Sequence, residues 1–166
     1  LNSQIHGGVM NVAGQELNIV DGFLLYPGIN ETSMKDIPMV FAGYGISNNN
    51  TYDDYAKIDV KGKCVVVLQG DVRNPDSKEA NSSTSKREKA ESLGAAAFII
   101  VMPNSDYNTF KGRMKFYMMR KSTILNRTKE GEGASIPTFF VREDAADVWF
   151  EASKKMKKIV KIKKKG

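Results

Sequence analysis

Between Val40 and Asp71 the chain reads VFAGYGISNNNTYDDYAKIDVKGKCVVVLQGD, gathering two glycines around Tyr44, four aspartates, a Gly62-Lys63 pair and the single cysteine of the 166 residues. Such residues support three chemistries: phosphate cradling by a glycine loop, cation ligation by carboxylates, and thiolate attack. Each reading lacks a partner. Gly43-Tyr44-Gly45 has no third glycine, and SNNN follows where a dinucleotide-binding helix would begin. Gly62-Lys63 lacks the upstream glycine and the following Ser/Thr of a P-loop, since Cys64 stands there. Asp53, Asp54 and Asp59 do not follow the spaced acidic pattern of a calcium loop. Their simpler use is to cap turns by accepting backbone N–H groups, with Asp59 placed for a tight turn into the strand at Cys64.

One histidine, His6, excludes a His-rich metal site, and a Ser/His/Asp triad would have to recruit that one peripheral residue. No Gly-x-Ser-x-Gly elbow is present. Cys64 lies in the apolar run Cys-Val-Val-Val-Leu and reads as a small buried hydrophobe. No catalytic residue, metal ligand or cofactor is therefore assigned to the chain.

The +6 net charge is concentrated at one end. Eight lysines fall between Lys154 and Lys165, and removing them from +6 leaves about −2 for everything before. A basic groove across the fold is not expected, and the lysines lack interleaved aromatics for base stacking, so nucleic acid is not an expected partner. The longest apolar run, Ala95 to Met102, is too short to span a bilayer, so no membrane insertion is expected.

The elements that must carry these residues are mostly short β runs: Val9–Val12, Leu17–Val20, Phe23–Tyr26, Met39–Tyr44, Cys64–Leu68, Ala97–Met102, Thr138–Val141 and Ile159–Lys163. Two segments read as helices. SKREKAESL, Ser85 to Leu93, is closed by Gly94, and Glu143 to about Lys158 carries Ala145, Val148, Trp149, Ala152 and Met156 at spacings of three and four. A strand, a helix and the nearly all-apolar GAAAFIIV form a βαβ-like unit, while the hairpin-spaced runs before it predict antiparallel pairing. The fold class is α/β.

Asn74–Thr84 and Asn104–Ser135 read as long loops. The second places Phe110, Met114, Phe116, Tyr117, Met118 and Met119 among seven Lys/Arg, which fits either a short element packed on the sheet or a contact surface. Arg73, Arg113, Phe116 and Tyr117 are the candidate substrate-contact residues, because an Arg in a loop can pair bidentately with a peptide carboxylate.

Four segments in order, VFAGYGI, YDDYAKIDVKGKCVVVLQGD, KREKAESLGAAAFIIV and IPTFFVREDAADVWF, resemble the protease-associated (PA) domain over roughly Val40 to Phe150. The version inserted in di-zinc aminopeptidases is the most similar. The resemblance implies a layered β/β/α fold, a mixed β-sandwich flanked by two or more helices. One domain over 1–166 is expected, with its core at 38–152 and flanking strands in 1–37 and 157–166. In that reading Gly43, Tyr44, Gly45, Asp59, Gly62, Lys63, Lys86, Ala90, Gly94, Ala95 and Ile136-Pro137 are fold residues.

The resemblance further implies a non-catalytic accessory domain in a secreted or periplasmic zinc aminopeptidase. It would gate or position peptide substrate, with zinc held by the parent's catalytic domain on flanking chain. The abrupt ends at Leu1 and Gly166 suit such an excised segment. The other reading is a stand-alone protein- or peptide-binding module of the kind found in sorting receptors. One departure stands out: Val141-Arg142 replaces the small polar cap expected before the last helix.

Overall fold

Cys64–Leu68 and Ala97–Met102 are apolar on both faces, which places them inside a sheet covered from both sides. The computed structural model describes residues 9–25, 34–48, 52–70, 82–119 and 136–151, with the backbone alone at 48 and 115–119. Over these residues the strands are β1 (Val9–Val12), β2 (Gln15–Asn18), β3 (Phe23–Leu25), β4 (Met39–Phe41), β5 (Ser47–Asn48), β6 (Tyr52–Asp53), β7 (Cys64–Leu68), β8 (Ala97–Met102) and β9 (Thr138–Arg142). The helices are α1 (Ser83–Ser92), α2 (Asn104–Met119) and a third, α3, described over 143–151.

The main sheet has the order β3-β9-β8-β7-β4. β4, β7, β8 and β9 are parallel to one another, and β3 joins antiparallel to β9 with Phe23 opposite Val141. The expected βαβ unit is β7-α1-β8, and the expected antiparallel hairpin is β1-β2. Right-handed crossovers that step the same way across a sheet put their helices on one face. Accordingly α1 and α2 share a face, where Ala90, Tyr107 and Met114 pack on Val65, Val67, Phe98 and Ile100. The opposite face carries the β1-β2 hairpin and α3, with Val12, Leu17, Ala145, Ala146 and Trp149 against Val66, Ile99 and Phe139. Trp149 Nε1 donates to Gln15 Oε1 at 2.9 Å, tying α3 to the hairpin. Hairpin, sheet and helices thus form the β/β/α layering.

Several boundaries differ from the expectation. The strand expected over Met39–Tyr44 stops at Phe41, because Gly43 and Gly45 adopt φ of +49° and +70° and turn the chain. A second hairpin, β5-β6, forms inside the Tyr-Asp-rich connector, where no strand was expected. The stretch from Asn104, which fitted either a short element packed on the sheet or a contact surface, is a 16-residue helix over its first half. Among its described side chains Tyr107, Phe110 and Met114 form the stripe that packs among Phe98, Ile100 and Phe140. Gly112 and a run of Lys/Arg hide that stripe in the sequence. The expected strand Ile159–Lys163 and the end of the last helix lie outside the described residues.

Candidate functional site

In a parallel sheet the chemistry-bearing loops gather at the carboxyl ends of the strands, and here β4, β7, β8 and β9 all end on one rim. The loop after β4 is held by Asp54. Its Oδ2 accepts from Tyr44 N and Ile46 N at 3.0 Å each, and its Oδ1 accepts from Tyr52 Oη at 2.7 Å. A Cβ at Gly43 would run into that carboxylate, and one at Gly45 would lie 2.7 Å from Val67 Cγ1. Glycine is thus required by space as well as by φ. Asp53 accepts from Tyr55 N at 2.9 Å, and Asp59 accepts from Lys61 N and Lys63 Nζ at 3.1 Å each. Those bonds, Lys63 first, lower the Asp59 pKa below its usual value. The aspartates cap turns, as their positions suggested.

Tyr55 packs beneath this loop with its hydroxyl enclosed and without a hydrogen-bond partner among the described residues. Burial, then the charges of Asp54 and Asp53, raise its pKa above the ordinary phenol value. Cys64 is buried at the start of β7, and desolvation pushes its thiol up to about 12. That is the opposite of what a nucleophilic thiolate needs.

Lys86 is the unexpected feature of the rim. It lies in the first turns of α1 yet is 2% exposed. Its Nζ donates to Gly70 O at 2.6 Å and Leu68 O at 3.3 Å, and sits 5.9 Å from the Tyr44 ring centroid. An ammonium is buried at low cost only when its donors are met, and carbonyls past the end of a strand meet them. One side chain thereby joins α1, the β7 exit and the Gly43–Gly45 loop. Further along, Gln69 Nε2 donates to Asp106 Oδ2 at 3.2 Å, and Asn104 N donates to Glu143 Oε1 at 3.1 Å. Arg142 clamps Asp144 bidentately at 2.9 and 2.8 Å, and Asp144 also accepts from Ala145 N at 2.8 Å. Asp144, in the first turn of α3, therefore accepts from one of the amides that the start of a helix leaves without a backbone acceptor.

The four candidate contact residues do not form a single described site. Arg73 lies outside the described residues. Arg113 is exposed on α2, and Phe116 and Tyr117 fall in the last turn of that helix, where only the backbone is described. His6 is also outside them. Among the described residues no three His, Cys, Asp or Glu side chains group as a metal site would require. Sequence reasoning ranked Lys86 with the fold residues without seeing its burial, because α1 also carries Arg87 and Lys89 and nothing in the sequence sets Lys86 apart.

The described charged groups of this rim bond to backbone and to one another. The family model for the PA domain matches residues 20–149, well over half of the chain. The chain belongs to the PA domain family, whose members are generally accessory, non-catalytic protein-interaction modules. No curated protein matches it. No helix among the described residues is long and apolar enough to cross a membrane.

Proposed function

We propose that this chain is the accessory PA domain of a secreted or periplasmic zinc aminopeptidase, where it restricts access to, or helps position peptides at, an active site carried by flanking chain. The observation that carries the reading is the ordered set of fold motifs across a family match of residues 20–149. Polar groups that are spent on the scaffold support it, because a module of this kind contributes shape and contacts rather than a nucleophile. Zinc belongs to the parent's catalytic domain in this reading, and Arg73, Arg113, Phe116 and Tyr117 are the contacts offered to substrate.

Kinetics of the full-length parent test it. Substituting Arg73 and Arg113 raises KM for peptides and leaves kcat and the hydrolysis of a small chromogenic amide unchanged. Flanking chain without zinc-ligand-bearing peptidase segments would overturn the aminopeptidase reading in favour of a stand-alone binding module.

A further inference from the structure

β4 is the edge of the main sheet, and its outer side has no strand among the described residues. Cys64 N donates to Pro38 O and Ala42 N donates to Val66 O, so residues 38, 40 and 42 bond to β7. The alternation of a parallel ladder then turns the N–H and C=O groups of Met39 and Phe41 outward. Both side chains are large and apolar yet exposed, at 38% and 44%, with one edge contact between the Phe41 and Phe150 rings at 5.0 Å. Natural edges are usually blunted by charge, proline or a bulge, and an apolar, β-prone edge is a template for pairing.

A second feature adjoins this edge. A cavity of about 210 Å³ opens on the hairpin-covered face, with Met34, Ile37, Met39, Cys64 and Phe139 in its wall. Asp36 stands at the same cavity with φ of +54°, and its carboxylate has no hydrogen bond or ion pair among the described residues. A small apolar molecule would fill the cavity and leave the outward backbone groups unused. An extended polypeptide engages both, since its main chain pairs with the edge and alternate side chains turn to one face.

We propose that the outer edge of β4 docks an extended segment of a partner polypeptide, which adds to the sheet as a strand, places an apolar side chain in the cavity beside Met39 and sets a Lys or Arg near Asp36. The surface deepens the accessory role and rests on its premise that the module meets other polypeptides. It does not depend on what chemistry the flanking chain carries.

Amide hydrogen exchange and fluorescence anisotropy on the 166-residue chain test it, with a labelled ten-residue peptide alternating Val and Lys as the probe. Without peptide, the amides of Met39 and Phe41 exchange fast while those of Val40 and Ala42 are protected; with peptide, Met39 and Phe41 slow down. Met39→Lys and Asp36→Lys each weaken binding about tenfold, close to 1.4 kcal/mol, and a Val/Glu peptide binds about as weakly. Phe41→Pro, which deletes an outward donor and no bond to β7, abolishes the protection. Should one variant misfold by circular dichroism, the exchange pattern of the unmodified chain still decides. Protection of Met39 and Phe41 in the dilute chain alone would overturn the proposal, because the chain itself or a second copy then fills the edge. Binding that ignores all three substitutions would overturn it too, while leaving the accessory role standing.

Discussion

The ammonium of Lys86 lies 2.6 Å from the carbonyl of Gly70, so a buried charge on α1 is met by backbone sixteen residues earlier, just past the end of β7. Gly70 has φ of +106°, a conformation that presents its carbonyl to the helix and suits no other residue. Lys86→Ala strands both acceptors and empties the space of the side chain, and a loss of about 2–4 kcal/mol is expected in urea denaturation. Lys86→Met keeps most of the packing and loses less. Equal midpoints for Lys86→Ala and the parent chain would show that the contact contributes nothing.

Asp54 offers a second site of backbone dependence. Asp54→Ala leaves the Tyr44 and Ile46 amides without their acceptor, and about 1–3 kcal/mol is expected to be lost. Asp54→Asn retains one acceptor oxygen and falls between. Thermal melts of the three proteins rank them, and an unchanged Asp54→Ala melt would refute the role given to this carboxylate.

Gly45 and Gly62 share nearly the same φ, +70° and +69°, but differ in surroundings. A Cβ at Gly62 meets nothing within 4 Å, so Gly62→Ala costs only the backbone strain of a left-handed residue, about 1–2 kcal/mol. Gly45→Ala carries the same strain and also collides with Val67, so it is the more destabilising by at least about 1 kcal/mol. Matching unfolding midpoints for the two variants would mean that the loop shifts to relieve the clash.

Cys64 gives a pH signature. Its thiol has a folded pKa raised to about 12 from 9.0, so between these values the unfolded chain releases a proton that the folded chain keeps. Stability therefore falls as pH rises from 9 towards 12, by up to about 1.4 kcal/mol per pH unit. Cys64→Val should remove this part of the alkaline slope. Stability curves for the two proteins that stay parallel from pH 8 to pH 11 would contradict the burial of the thiol.

What the sequence disclosed followed the physical strength of its signals. CVVVL and AFIIVM have no polar face, so they declared themselves as central strands, and Gly94 declared the end of α1. The extent of α2 stayed hidden because its stripe of Tyr107, half-buried Phe110 and Met114 lies among seven Lys/Arg in the stretch Asp106–Gly133. Asp53 and Asp59 were recognisable as turn caps from their neighbours, whereas Asp54 bonds back to Tyr44 and Ile46, ten and eight residues away. Lys86 was not recognisable as buried, since the groups that make its burial tolerable are carbonyls, and every residue has one. The edge of β4 escaped for a related reason: which amides face outward depends on register with β7, a tertiary fact.

β3 pairs with β9, joining residues 23–25 to residues 139–141 across more than a hundred positions of chain. Pairings so distant in sequence close the largest loop and form late, so the sheet grows from β7-α1-β8 outward and β3 docks last. During synthesis β3 must therefore wait, with Phe23 uncovered, until residues 139–141 have left the ribosome.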